Sequence, residues 1–350
     1  MAFSKTALTR RSLLKSGAGA AAGLIAMPAV VSAQAADAVK LSLEFRIYGG
    51  NAPMFLAAEN GIFRDLRLDV TSDGSAGSGD TLTRVANGSY QFGLADASAV
   101  AEFAGRNPEA APKIIMTIFD VFPAVIMSWK KKPVKSLKDL AGIKLGTSAS
   151  DAGSKILPAL LARNNVDPAS FTRMNLDVKL REAMLMKGDV DATIAFDYTA
   201  LFNLVDNGVK IEDINLLYFK DFGFNFPGNS LIASREMIEK NPDLVKRMAL
   251  GCARAWVAAD RDRKAAIAAV VKRDKLLRPE VEVPRISWVL DRLIKTPEVK
   301  QNGIGFIDEK RLTDGLVVLA DGLKFSKNIT VADIYDGRFL PPAADRKFAG

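Results

Sequence analysis

The inventory of reactive side chains excludes most nucleophilic and metal-dependent chemistry. The 350-residue sequence contains no histidine and one cysteine, Cys252. A Ser-His-Asp triad, a Cys-His pair and the common zinc sites each need histidine or several cysteines. An iron-sulfur cluster, or a haem held by its usual axial residues, also needs histidine or several cysteines as ligands. We therefore expect no cofactor, no metal and no enzymatic activity, and we interpret Cys252 as a buried apolar residue.

The residues that could recognise a ligand are carboxylates, hydroxyls and aromatic rings that follow short β-rich runs. In doubly wound sheets, ligands lie beyond the carboxyl ends of strands and against helix N-termini. By this rule the first set of candidate ligand-binding residues is Phe45, Tyr48, Asn51, Ser75, Ser78, Asp80, Asp96 and Ser98. The second set, later in the chain, is Ser148, Ser150, Asp151, Phe196, Asp197 and Tyr198.

The elements that must position these residues alternate between strands and helices, which predicts an α/β fold with largely parallel sheet. The first unit has predicted strands at 39–45, 66–72 and 90–96 and helices at 53–63 and 79–89. The β-rich stretch 114–129 contains Pro123, so it cannot be one central strand and indicates a crossing between two lobes.

A second unit is expected from about Trp129. Ser136 and Asp139 have the spacing of a capping box, and a strand at 143–150 leads into a helix at 151–166. The predicted strand 192–196 and the region 229–234 close this unit, and the remainder is helical at 236–273, 283–294 and 308–325. The predicted domains are a leader at 1–35, lobe 1 at 38–125 and 230–350, and lobe 2 at 126–229.

The first 35 residues have the pattern of an export signal. TRRSLLK at 9–15 precedes an apolar run at 17–31 and the small-residue sequence SAQA, so we expect cleavage after Ala35 or Ala33. Arg10 and Arg11 resemble a twin-arginine signal, although a general secretion signal with two arginines is the alternative. With no cysteine near the cut to anchor a lipid, the sequence predicts a soluble periplasmic protein.

The charge gives no indication of a nucleic-acid partner. The formal net charge is +8, but four of the basic residues lie in the leader. The mature protein is therefore only mildly basic, which is not the footprint of nucleic-acid binding.

Four stretches, in their joint order and spacing, resemble the periplasmic binding proteins of nitrate, sulfonate, taurine and thiamine-precursor importers. They are NAPMFLAAENGIFRDLRLDVTSDGSAGSGDTLTRVANGSYQFGLAD, SLKDLAGIKLGTSASDAG, GDVDATIAFDYTALFNL and GNSLIASREMIEKNPDLVKRMALGCARAW. The resemblance implies a type II periplasmic binding protein, in which two α/β lobes joined by two crossings close on a ligand in the cleft. It also implies a monomer that captures a small molecule and delivers it to the permease of an ABC importer. A ligand-sensing partner of a membrane receptor would share this fold.

The predicted cleft residues favour one ligand class over another. Four aspartates and four aromatic rings suit an amino-bearing heteroaromatic, such as a pyrimidine or thiamine precursor. The alternative is a nitrate, sulfonate or taurine-type anion held by hydroxyls, amides and helix N-termini, with Arg46 as a candidate cation if it points into the cleft.

Several candidates have structural alternatives. Tyr48 could pack on its own lobe, and Ser78 or Asp80 could simply cap the helix that follows the Gly/Ser turn. Asp197 lies between the apolar runs ATIAF and YTALF, where a buried carboxylate needs a partner. That partner is either the ligand or a cation of lobe 2.

Overall fold

The computed structural model describes residues 35–148, 151–324 and 329–348. The predicted leader, apart from Ala35, and the candidate Ser150 lie outside the described residues. No helix within the described ranges is long and apolar enough to cross a membrane.

The described chain forms two five-stranded sheets. The strands in chain order are β1 Asp37–Ser42, β2 Leu68–Asp73, β3 Phe92–Asp96, β4 Lys113–Thr117, β5 Ala124–Trp129, β6 Lys144–Thr147, β7 Thr172–Asn175, β8 Ala192–Phe196, β9 Ile214–Tyr218 and β10 Asn229–Ala233. Sheet 1 has the order β2-β1-β3-β10-β4 and sheet 2 the order β7-β6-β8-β5-β9. We call sheet 1 with the helices packed on it lobe 1, and sheet 2 with its helices lobe 2.

Two segments carry the chain between the sheets. The first joins β4 to β5 through 118–123, and the second joins β9 to β10 through 219–228. The two strands that enter from the other lobe, β5 and β10, are the ones that run antiparallel to both of their neighbours. This follows from the crossings, because a chain that leaves one sheet at the carboxyl ends of its strands enters the other sheet at the corresponding end. The carboxyl ends of the remaining strands therefore face each other.

The sequence predicted the crossing at Pro123 but not every strand. The break between β4 and β5 confirms that 114–129 is not one strand. The region 229–234 contains β10, which pairs with β3 and β4 in sheet 1 and so does not close the second unit, although the predicted domain bounds had begun the return to lobe 1 at 230. Strands β7 and β9 were missed, and each sheet is mixed because of its one antiparallel strand.

Helices connect and cover the sheets. Their bounds are α1 Ala52–Glu59, α2 Ile62–Asp65, α3 Ser78–Ala86, α4 Ala97–Arg106, α5 Ala152–Arg163, α6 Arg181–Lys187, α7 Asp197–Asp206, α8 Arg235–Lys240, α9 Pro242–Arg261, α10 Arg263–Arg273, α11 Pro279–Trp288, α12 Pro297–Asn302, α13 Glu309–Leu323 and α14 Val331–Ile334. A π-helical segment, Val289–Ile294, continues α11.

Local sequence signals explain where these helices begin. The predicted capping box of Ser136 and Asp139 is present. The long helix expected at 236–273 is instead three helices, because Pro242 starts α9 and the Asp262 side chain caps α10 by accepting from the Ala265 N–H. Cys252 is buried in α9, as the sequence predicted.

The C-terminal helices pack against both lobes. α11 contacts α10 and the segment Gly49–Asn51 on the side of lobe 1, and it also contacts α7 of lobe 2. α13 packs against α4 and α5, which follow strands of different sheets. The two lobes are therefore bridged by apolar helix packing as well as by the crossings.

Candidate functional site: a cavity between the two sheets

A cavity of about 600 Å³ lies where the carboxyl ends of the two sheets face each other. Lobe 1 contributes the residues after β1, the Gly/Ser turn before α3, and one side of α4. Lobe 2 contributes the start of α5, the start of α6 and the β8–α7 junction. Its polar and aromatic lining residues are Glu44, Phe45, Ser78, Asp80, Asp96, Glu102, Phe103, Arg106, Asn107, Asp151, Lys155, Arg181, Phe196, Tyr198 and Thr199.

The structure brings half of the sequence candidates together on this cavity. They are Phe45, Ser78, Asp80, Asp96, Asp151, Phe196 and Tyr198. Each lies at the carboxyl end of a strand or in the turn or first helical turn that follows it, which is where the strand-end rule placed it. Candidates from both lobes share one space because both sets of strand ends point at it.

Tyr48 and Asn51 lie behind the cavity wall. The Tyr48 hydroxyl donates to Glu44 Oε1 at 2.5 Å, and its ring is 2% exposed. Asn51 Oδ1 accepts from the Tyr48 N–H at 3.2 Å. Both residues stabilise the loop after β1. Tyr48 contacts the cavity lining through its hydrogen bond to Glu44.

The serine candidates outside the lining bond to their own turns. Ser75 Oγ accepts from the Gly77 N–H at 3.1 Å. The φ of Gly77 is 133°, a value that favours glycine. Ser98 donates through its N–H and its hydroxyl to Asp96 Oδ1 at 2.9 and 2.5 Å. The Ser148 N–H donates to Ser154 Oγ at 3.1 Å.

Asp197 is fully buried and does not line the cavity. Its Oδ2 accepts from the Tyr218 hydroxyl at 2.6 Å and from Trp288 Nε1 at 2.8 Å, and its Oδ1 accepts from the Tyr198 N–H at 2.6 Å. Trp288 belongs to α11, so this carboxyl joins lobe 2 to a helix that also packs on lobe 1. Burial raises its pKa to about 6 against these hydrogen bonds. Its partners within the protein are two aromatic side chains and a backbone N–H, and not the cation of lobe 2 that the sequence suggested as the structural alternative.

Carboxylates of the protein already cap helix N-termini at the cavity. Asp96 Oδ1 accepts from the Ser98 N–H at the start of α4, and Asp151 Oδ2 accepts from the N–H and hydroxyl of Ser154 at the start of α5. Asp80 Oδ2 accepts from the Ala76 N–H at 3.0 Å in the turn before α3. These positions are the ones at which a helix would otherwise attract an anionic ligand.

The charged side chains of the cavity were mostly missed by sequence reasoning. Glu102 of α4 accepts from Lys155 of α5 at 2.8 Å and from Arg106 at 2.9 Å, so a three-membered ion cluster spans the two lobes. Arg181 pairs with Glu182 at 2.9 Å and donates to the Ile194 carbonyl. Arg46, the proposed cation, does not line the cavity and donates to Asn203 Oδ1 at 3.1 Å. Glu102, Arg106 and Lys155 lie within helices, away from strand ends, where no local pattern marks them. Glu44 lies two residues beyond β1, so the strand-end rule could have found it.

Two acidic residues of the lining have an oxygen without a partner. Glu44 Oε2 and Asp96 Oδ2 are both buried and make no hydrogen bond within the described residues. Burial raises the pKa of Asp96 from 3.8 to about 6, opposed by the Ser98 bonds, and burial also raises the pKa of Glu44. No group of three histidine, cysteine or carboxylate side chains in the described ranges is arranged to hold a metal ion.

The raised pKa of Asp96 predicts a measurable dependence of stability on pH. Because the folded pKa of about 6 exceeds the ordinary 3.8, the stabilising contribution is complete below pH 3.8 and is lost as the pH rises through 6. We expect Asp96→Asn to flatten the fall in unfolding free energy between these pH values. Urea unfolding of the parent and of Asp96→Asn at several pH values measures this pH dependence. Identical slopes of unfolding free energy against pH would contradict the prediction.

Comparison with known proteins identifies the family. The model of the family described as "NMT1/THI5 like" matches residues 50–266 of the chain. The chain belongs to this family. The match runs from the segment Gly49–Asn51 into α10, so it includes the cavity-lining residues of both lobes except Glu44 and Phe45.

Several individual proteins are similar to this NMT1/THI5-like chain. The riboflavin-binding protein RibY of Chloroflexus aurantiacus is 26% identical over 199 residues, which are 56% of this chain. The match spans only about half of the relative's length, 55% of RibY. The periplasmic aliphatic sulphonate-binding protein SsuA of Escherichia coli superposes with a TM-score of 0.66 at 16% identity, covering 85% of this chain and 96% of that one. The alkanesulfonate-binding protein SsuA of Xanthomonas axonopodis pv. citri, bound to MOPS, superposes with a TM-score of 0.63 at 15% identity. The superposition covers 87% of this chain and 100% of that one. The two structures show that the fold is that of periplasmic binding proteins.

Proposed function

We propose that this chain is the solute-binding component of an ABC importer and captures a small organic molecule between its lobes. The observation that carries the proposal is the cavity built jointly by both lobes. Its volume of about 600 Å³ is in the usual range for small-molecule sites. Family membership and the names of the similar binding proteins support the same function.

A binding role also fits the position of the most nucleophilic residue. Cys252 is buried in α9 and does not line the cavity, and burial raises the pKa of its thiol. A thiol in that state is inert. We therefore propose a protein that binds its ligand without converting it.

The ligand class that we propose is a flat, amino-bearing heteroaromatic. Phe196 and Tyr198 line the cavity with ring centroids 6.1 Å apart and planes inclined at 26°, and Phe45 lines it from lobe 1. Planar rings of a ligand pack favourably against such a surface. A sulfonate, after which the structurally similar SsuA proteins are named, is the second candidate, but the carboxylates that cap α4 and α5 oppose an anion there.

We also propose that the leader directs export of the protein to the periplasm. The twin-arginine-type pattern around Arg10 and Arg11 supports transfer to the periplasm, where the protein would meet its ligand and the importer's permease. The names of the similar periplasmic proteins support that location.

The test is whether a small molecule occupies the cavity. Native mass spectrometry should find a copurifying ligand, or a thermal-shift screen of pyrimidines, flavins, aromatic amines, sulfonates and nitrate should find one. A ligand at a hundred times its Kd stabilises the folded protein by about 2.7 kcal/mol. Ala99→Trp places an indole in the cavity from α4 and should abolish this shift.

The control for that variant is Ala141→Trp, which adds the same side chain at an exposed turn and should keep the shift. If no compound binds, or if Ala99→Trp binds as well as the parent, the cavity is not the ligand site.

A further inference from the structure

The unpartnered oxygens of Glu44 and Asp96 belong to side chains whose other oxygen already accepts hydrogen bonds. Glu44 Oε1 accepts from the Tyr48 hydroxyl at 2.5 Å, and Asp96 Oδ1 accepts twice from Ser98. The two residues are only 5% and 1% exposed. Buried polar atoms are normally hydrogen-bonded, so each free oxygen is costly unless another molecule donates to it.

The protein does not offer a cation to either carboxyl. Within the described ranges no lysine or arginine forms an ion pair with Glu44 or Asp96, whereas the basic residues of the cavity are paired elsewhere. Arg106 and Lys155 are held by Glu102, and Arg181 is held by Glu182. The lining therefore contains free acceptors and engaged donors.

Both carboxyls lie near one aromatic ring. Glu44 is bonded to Tyr48, whose ring centroid is 6.1 Å from that of Tyr198. Asp96 pairs across β3 and β10 with Asn229, whose side-chain amide donates to the Tyr198 hydroxyl at 3.2 Å. Tyr198 lines the cavity beside Phe196. The two carboxyl groups and the Phe196–Tyr198 pair thus belong to the same part of the cavity wall.

We propose that Glu44 Oε2 and Asp96 Oδ2 form a subsite for a group with several N–H donors, such as an amidinium, guanidinium or primary ammonium. This inference rests on the proposed function and specifies the chemistry of its ligand. Each free oxygen accepts one N–H, and the two carboxyls balance the positive charge of the group. Carboxylate and sulfonate groups are repelled from this subsite.

The experiment uses matched aromatic probes. Benzamidine, phenylguanidine and benzylamine are compared by calorimetric titration with benzoate and benzenesulfonate, which have the same ring and an anionic group. We expect the N–H donors to bind and the anions not to bind. Failure of all three donors, with or without binding of the anions, would overturn the subsite.

Two isosteric variants locate the binding. Glu44→Gln and Asp96→Asn each keep an oxygen for Tyr48 or Ser98 but turn an N–H₂ group toward the donors of the probe. Each should weaken the best probe by roughly ten- to a hundredfold. Because each also removes a buried carboxyl without a counter-ion, neither should lower the Tm of the free protein. A purely structural role predicts the reverse, with a lowered Tm and unchanged affinity.

Glu239→Gln is the control, since it makes the same substitution at an exposed position of α8 and should leave affinity unchanged. If the donors bind equally to parent, Glu44→Gln and Asp96→Asn, the subsite is wrong but the solute-binding function stands. If anions bind and Ala99→Trp blocks them, the function also stands without the subsite. If nothing binds and nothing copurifies, both proposals fail.

Discussion

Replacing Asp197 with asparagine should lower the free energy of unfolding by about 1–3 kcal/mol, which is the usual cost of an unsatisfied buried polar group. The carboxylate accepts from three donors, namely Tyr218, Trp288 and the Tyr198 backbone. An amide has only one acceptor oxygen. Whichever way it is turned, its N–H₂ group faces either the indole N–H or the backbone N–H, and neither can accept. Chemical unfolding at neutral pH measures the loss.

A double-mutant cycle tests this explanation. Trp288→Phe removes the indole N–H while keeping an aromatic ring beside Phe202, whose ring centroid is 6.1 Å away. In the double variant the amide can turn its N–H₂ group toward Tyr218, whose hydroxyl can accept. The two substitutions should therefore cost at least about 1 kcal/mol less together than the sum of their separate costs. Additive costs would contradict the proposed contacts, as would a large loss of ligand affinity with unchanged stability.

Asp197 shows what sequence could and could not predict about the site. Its position at the end of β8 and its need for a buried partner were both readable from ATIAF-D-YTALF. The direction of its side chain was not readable, because that depends on Trp288, which is 91 residues further along the chain. The neighbouring residues Phe196 and Tyr198 line the cavity, so adjacent positions differ in whether they face it.

The same division between local and long-range information holds for the fold. Pro123, the capping box of Ser136 and the alternation of strands and helices are local signals, and they gave the two-lobe α/β architecture. The assignment of β10 to sheet 1 depends on pairing with β3 and β4, more than a hundred residues earlier. The strand β7, TRMN, has a largely exposed pattern and carries no apolar signal of its own.

The contact between Glu102 and Lys155 is also long-range, and it leads to the second large expected effect. The residues lie on α4 and α5, in different lobes, and the Lys155 ammonium donates to both Glu102 oxygens at 3.0 and 2.8 Å. Their side chains remain 18% and 32% exposed, so removing the attraction alone should be a modest change. Reversing the charge is different, because Lys155→Glu would set two carboxylates against each other across the two lobes.

We expect Lys155→Glu to weaken ligand binding by about ten- to a hundredfold, since like charges across an interface cost several kcal/mol before screening. The repulsion acts between the lobes and so disfavours the closed arrangement that the ligand must select. Lys155→Met, which removes the charge and keeps much of the apolar stem, should lose only a few-fold. Calorimetric titration at low and high salt distinguishes charge reversal from charge removal. The loss of affinity in Lys155→Glu should shrink as salt screens the repulsion.

The charge-swapped protein, Glu102→Lys with Lys155→Glu, provides the decisive comparison. It restores an attractive pair between α4 and α5, although Arg106 then has a lysine at the position of its former partner and must turn toward solvent, where 62% of its side chain is already exposed. Affinity should recover to within a few-fold of the parent. If the swap binds as poorly as Lys155→Glu, the lysine contacts the ligand itself; if Lys155→Glu binds normally, the ion pair between the lobes has no part in closing the cavity.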